Sequence, residues 1–333
     1  MDNIIPADKL QEGDIFLYHG ISWISKAIRF FDGTNYNHAS IYTGNNIVCE
    51  ALDNGIIKQY INDSINNSEF VIIKRLNNKP ADMTPVQNII SKYEGKRYAY
   101  EQLLLLALIC IFRRVNVNLA VTRFITKLLE IAASILVEMM NAGKEALICS
   151  EFVYRCYDEA LEDDNDPFTI ILDEEHPLSK SIISKSKALD NISYLLNRDC
   201  LFSYFYYNVI NSYSNKKADN SLSFELVNIK EIPQFKKEMI EPNSNLHNLY
   251  EEVEKNYNLE KTSKEYCIDN NVKHALDMFI SAYSTINKHN KLNKIFITDN
   301  KMILNLFVKT NANFVTPGDL YKAKNLQLIG RIK

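Results

Sequence analysis

Between residues 13 and 75 the apolar residues fall in short runs separated by turn-forming residues. Segments 14–18 (DIFLY), 39–43 (ASIYT), 47–51 (IVCEA) and 69–75 (EFVIIKR) are rich in Ile, Val, Phe and Tyr, the side chains that suit a pleated, half-buried strand. Gly44, Asn45 and Asn46 separate the second run from the third, and both residue types tolerate the positive φ of a tight hairpin turn. The pattern predicts a small antiparallel sheet. Between its first two strands, 22–31 (SWISKAIRFF) sets Trp23, Ala27, Phe30 and Phe31 at helical spacing behind a Ser22 cap.

The period changes at about Thr84. Residues 85–93 read as a short helix, and two apolar segments follow at 99–112 and 119–141. In the second of these, Phe124, Ile125, Leu128, Leu129, Ala132, Ile135, Leu136, Met139 and Met140 share one face, while Arg123, Lys127, Glu130, Ser134 and Glu138 share the other. The pair reads as a helical hairpin that packs into a core or against another subunit, or as an apolar lid that meets lipid at an interface. Segment 148–161 (ICSEFVYRCYDEAL) is a further helix with Phe152, Val153, Cys156 and Ala160 in a stripe. Beyond 163–167 (DDNDP) the chain turns polar, with helices expected near 177–196, 200–213, 243–256, 271–288 and 299–309. Residues 314–333 regain turn and strand character.

Composition removes several classes. A net charge of −3 lacks the basic excess of an electrostatic nucleic-acid binder. Nine glycines and no GxxxxGK or GxGxxG sequence leave no phosphate-cradling loop. The six cysteines, at 49, 110, 149, 156, 200 and 267, have no CxxC spacing, and the six histidines have no HxxxH or HExxH spacing, so neither a disulfide framework nor a metal site is expected and no cofactor is implied. The longest apolar run is ten residues, 103–112, too short to span about 30 Å of hydrocarbon at about 1.5 Å per residue. The first eight residues, MDNIIPAD, have neither a basic nor an apolar signal region, which predicts a cytoplasmic protein.

The candidate chemistry centres on Cys149. It falls where the loop 141–146 delivers the chain into a helix, and a helix N-terminus favours the thiolate, the reactive form. The competing reading is a small buried core residue beside Ile148 and Phe152, which is also the reading for Cys156. A nucleophilic cysteine needs a base, and the base an orienting group. His38 follows the polar loop 32–37 (DGTNYN) at the mouth of a strand, and Glu50 lies on the next strand. In an antiparallel hairpin, paired positions sum to a constant, and a sum of 88 or 90 sets His38 and Glu50 on one face, opposite or diagonal. An odd sum separates them and leaves Glu50 as an edge charge. Asp14, after Gly13, reads as a strand-start residue rather than an acid catalyst.

Four short motifs carry a resemblance: Gly13-Asp14-Ile15 before an aromatic strand, Asn37-His38-Ala39-Ser40-Ile41-Tyr42, Val48-Cys49-Glu50-Ala51 and Cys149-Ser150-Glu151-Phe152-Val153. In this order they resemble the permuted papain-like amidases of the YaeF/YiiX group, within the NlpC/P60 superfamily, in which His precedes Cys. The likeness covers roughly 6–76 and 90–161, and 316–321 (TPGDLY) is similar to the closing stretch of longer members. The resemblance implies an α+β fold, a permuted papain-like core whose small antiparallel sheet packs on a Cys-bearing helix; a large, mainly helical insertion is expected in addition, and with the apolar pair it departs from the family's core. The expected division is a core of 1–98 and 142–164, an apolar helical pair at 99–141, a mainly helical insertion or cap at 165–312 and a C-terminal segment, 313–333, that returns to the core.

The resemblance further implies a cysteine hydrolase in which Cys149 is the nucleophile, His38 the general base and then acid, and Glu50 the group that orients the imidazole. The expected substrate is a peptide, an acyl-amide or a lipid-like molecule, with transfer to an acceptor other than water as a variant and peripheral membrane contact through 99–141 as a companion expectation. The rival class is a non-catalytic lipid-binding or protein-interaction module on the same scaffold. Retention of thiol, base and carboxylate together speaks against it, because binding alone needs no such set.

Overall fold

In the computed structural model the chain divides into two compact units, one holding Met1–Leu106, Leu147–Ser179 and Thr310–Lys333, the other Ala107–Ala146 and Lys180–Lys309. The structure describes residues 4–53, 55–96, 100–112, 118–143, 148–161, 166–173, 201, 204–205, 208, 227–256, 269–289 and 315–333. The helices expected at 177–196 and 299–309, and most of 200–213, lie outside the described residues.

The first unit is built on a six-stranded sheet in the order β4-β3-β2-β1-β5-β6. Its strands are β1 (Ile15–Gly20), β2 (His38–Gly44), β3 (Ile47–Leu52), β4 (Gly55–Tyr60), β5 (Ser68–Leu76) and β6 (Leu326–Arg331). Every strand pairing is antiparallel. The β2–β3 turn has Asn45 and Asn46 at φ 54° and 60°, the two consecutive positive values that match hairpin twist. β4 was not legible in advance. Its Ile56, Ile57, Lys58, Gln59 and Tyr60 pair two apolar residues before the polar ones, which blurs the period-2 signal. Because β4 covers β3, Glu50 is an interior residue and not an edge charge.

Helix α1 (Trp23–Asp32) opens on Ser22, whose side chain accepts from the Ser25 amide. Beside it, the buried Asn37 accepts from the Gly20 amide at 2.6 Å and donates to Ser25 Oγ at 3.0 Å. These bonds fix the backbone immediately before His38. After β4 come a one-turn helix α2 (Ile61–Ser64), then α3 (Thr84–Tyr93), α4 (Glu101–Phe112), α5 (Leu119–Asn141) and α6 (Cys149–Asp158). α6 packs on β2, β3 and α3. The C-terminal stretch forms a short helix, Pro317–Lys322, before β6 pairs with β5. It is pinned at Asp32, whose carboxylate accepts from Thr316 Oγ1 at 3.1 Å and from the Gly318 amide at 3.2 Å. Next to it, Ser150 Oγ of α6 donates to the Val315 carbonyl at 2.7 Å.

In the second unit α5 packs on α7 (Asn245–Asn256) and α8 (Asn270–His289). Most of the apolar face read in the sequence is buried there, Phe124, Ile125, Leu128, Leu129, Ala132 and Leu136 among it, whereas Met140 is only half-buried and Ser134, expected on the polar face, is buried as well. The division between the units falls within α4, whose residues 103–111 are buried throughout. Among the described residues no helix is long and apolar enough to cross a membrane.

Candidate active site

The β2–β3 register pairs Ser40 with Glu50, a sum of 90, so His38 sits diagonally from Glu50 on the same face. The β1–β2 register sets Tyr18 directly opposite His38. On β4, Gln59 lies diagonal to Glu50, since Glu50 pairs with Ile57. Alternation therefore gathers Tyr18, His38, Ser40, Glu50 and Gln59 on one face from four adjacent strands.

His38 and Glu50 are both buried, and His38 Nε2 lies 2.6 Å from Glu50 Oε2. Burial favours the neutral acid, yet hydrogen bonding and charge from His38, with contributions from Ser64 and Gln59, hold the Glu50 carboxyl below its usual range. An ionised carboxylate can only accept, so Nε2 carries the proton of this bond. Nδ1 is buried and has no hydrogen-bond partner of ordinary geometry among the described residues. Burial works against the imidazolium, but the Cys149 sulfur, through the negative charge of its thiolate form and through hydrogen bonding, followed by Glu50, outweighs it and raises His38 well above its ordinary value. Cys149 is thus a close neighbour of the ring, although His38 and Cys149 are 111 positions apart in sequence.

Cys149 is the first residue of α6, behind Ile148. The amides of a helix's first turn have no acceptor within the helix and carry the positive end of its dipole. Glu151 accepts from the Ile148 amide at 3.3 Å and pairs with Arg155 at 2.8 Å, which ties down this turn. Burial pushes Cys49 up to about 12, and drives Cys110 and Cys156 up as well. They remain thiols.

Four residues around this set were not singled out from sequence. Tyr18 lies with its ring centroid 5.0 Å from that of His38, and its Oη is 2.6 Å from both Ser40 Oγ and Ser64 Oγ. Gln59 Nε2 donates to Glu50 Oε1 at 2.5 Å. Parity along β1 and β2 could have flagged Tyr18 and Ser40, because they share a face with His38. Gln59 and Ser64 were out of reach while β4 was unread.

The class to which this part of the chain is similar is that of papain-like hydrolases of amidase or peptidase type, mixing helices with an antiparallel sheet. Within it, residues 9–171 match the profile of the permuted papain-like amidase enzymes, YaeF/YiiX, C92 family, and the resemblance carried by the four motifs is that family's. The crystal structure of the metalloprotein yiiX from Escherichia coli O157:H7 (DUF1105) is similar at 19% identity, over 46% of this chain and 67% of that one, with a TM-score of 0.31. No curated protein matches the chain.

Proposed function

We propose that the protein is a cysteine-type amidase in which Cys149 is the nucleophile, His38 the base and acid, and Glu50 the orienting carboxylate. The observation that carries this reading is the state of His38: Nε2–H is engaged on Glu50, while the buried Nδ1 is unpaired among the described residues and the ring is acted on by Cys149. The Cys149 thiol passes its proton to Nδ1, and the thiolate attacks the amide carbonyl carbon. The oxyanion gathers at the start of α6, where the Cys149 amide N–H is the candidate donor. Nδ1–H then protonates the leaving nitrogen as the C–N bond breaks and the thioester remains. Water, giving its proton to Nδ1, attacks the thioester; the acid leaves and the thiol is restored.

The rest of the reading concerns the substrate. Peptides and acyl-amides fit the proposed chemistry; transfer to another acceptor would need one bound in place of water, and no observation favours it. A lipid-like acyl group would use α4 and α5, most of whose described apolar side chains are buried in this structure, Leu119 being exposed, so liposome flotation of the full chain would have to show binding. Alkylation tests the chemistry directly. Iodoacetamide at mildly acidic pH should modify Cys149 far faster than Cys49 or Cys110, and His38→Ala should remove that advantage. Equal labelling of the three thiols would sink the proposal.

A further inference from the structure

Glu50 is held from both of its oxygens, and by more than His38. Oε2 receives His38, Oε1 receives Gln59 at 2.5 Å, and the Ser64 hydroxyl helps to keep the carboxylate ionised. Ser64 Oγ is in turn 2.6 Å from Tyr18 Oη, which is 2.6 Å from Ser40 Oγ. Each hydroxyl has one proton. If Ser64 spends its own on Glu50, Tyr18 must donate to Ser64 and Ser40 must donate to Tyr18. The two bonds of this stretch then point one way, from Ser40 through Tyr18 to Ser64. Tyr18 keeps its proton, because burial and the nearby Glu50 charge push its hydroxyl well above the ordinary value. The same tyrosine sets its ring against His38, tilted by 60°.

We propose that Tyr18, Ser64 and Gln59 are positioning residues that act through Glu50: they fix its carboxylate so that it holds His38 by Nε2 and leaves Nδ1 presented to Cys149. The inference rests on the catalytic reading given above. A merely structural role for these side chains makes a different prediction, since their loss would then reduce stability without a preference for His38. A hydrogen bond to a charged group, lost from a buried site, changes the equilibrium it supports by about tenfold or more.

The test uses the full chain with Tyr18→Phe, Gln59→Leu and Ser64→Ala, alone and combined with Glu50→Gln. Two quantities are read: the titration midpoint of the His38 ring by NMR, and the rate of iodoacetamide modification at Cys149 near neutral pH. Tyr18→Phe and Gln59→Leu should each move the His38 midpoint down toward the ordinary histidine value and slow Cys149 modification about tenfold. In the Glu50→Gln background the same substitutions should do nothing further, because the group they act through is gone. Lys58→Ala, on the same strand beside Gln59, should leave both readings at the wild-type value. Ser64→Ala removes the bond to Tyr18 Oη without touching the Tyr18 ring, and it carries the same expectation should Tyr18→Phe fail to fold.

Wild-type readings from these variants, or equal losses with and without Glu50→Gln, overturn the positioning role. The catalytic reading fails separately: it falls if His38→Ala leaves Cys149 modification unchanged. When His38→Ala abolishes fast modification and the Tyr18, Gln59 and Ser64 variants match wild type, only the positioning role is lost.

Discussion

Two buried carboxylates in the first unit meet cationic partners from neighbouring strands, with opposite chemical outcomes. At the start of β1, Asp14 receives Arg75 through two bonds of 2.6 and 2.7 Å, and its Oδ2 also accepts from the Gln11 amide. At the mouth of β2, Glu50 receives His38 at 2.6 Å and Gln59 at 2.5 Å. Arginine keeps its charge at any working pH and grips the carboxylate with a planar fork, so the first pair is closed. Histidine titrates near neutrality and has a second nitrogen, so the second pair is open at Nδ1. On the catalytic reading proposed above, what sets the His38–Glu50 pair apart from the Asp14–Arg75 pair is a titratable partner with one unspent atom beside Cys149, and burial and short distance alone do not distinguish the two.

That contrast can be broken from either side. The largest effect belongs to His38→Ala, which should lower amide turnover and fast Cys149 alkylation by about two to four orders of magnitude, the range for a lost general base; a folded variant with wild-type rates would erase the distinction. Next is Arg75→Ala, which leaves the Asp14 carboxylate buried without its partner. Urea unfolding should show a loss of about 3–5 kcal/mol, while the His38 titration in the folded protein stays where it was. A shifted His38 midpoint would mean that the two pairs are one network.

Glu50→Gln should act in the reverse sense, slowing Cys149 alkylation about 10- to 100-fold with a smaller change in unfolding midpoint than Arg75→Ala gives. The stability contributed by the His38–Glu50 pair should also depend on pH. The folded value of His38 lies above its ordinary 6.5, so its contribution is complete below about 6.5 and is lost as pH rises through the raised value. The folded value of Glu50 lies below its ordinary 4.5, so its contribution is complete above about 4.5 and is lost as pH falls through the lowered value. The difference in unfolding midpoint between wild type and His38→Gln should be greatest between about 4.5 and 6.5; a flat difference from acid to alkaline pH would contradict the open pair. Smallest is Lys58→Ala, which removes a partly exposed pair with Glu94 and should cost no more than about 1 kcal/mol.

Much of the sheet could be read directly from residue types. The strands β1, β2, β3 and β5 each carry a run of Ile, Val, Phe and Tyr, and the Asn45-Asn46 turn is specified by two residues that accept positive φ. The parity of the hairpin narrowed His38 and Glu50 to one face, but it left the choice between directly opposite and diagonal. The structure takes the diagonal. β4 escaped because it is an edge strand in which two adjacent isoleucines precede an exposed Lys58 and Tyr60, so alternation is weakly written, and the inward-facing Gln59 escaped with it.

The sequence by itself determined the local elements and which side chains share a face, because alternation and helical period are properties of consecutive residues. It also set the order His38, Glu50, Cys149 that permits the proposed chemistry. Only the tertiary structure decided that the first turn of α6 meets the ring of His38, that Glu50 has Gln59 on its second oxygen, and that Tyr18 connects Ser40 to Ser64. Each of these contacts joins residues from different elements, some more than a hundred positions apart. Such contacts are selected by packing and by the need to satisfy buried polar groups, and neither has a period along the chain.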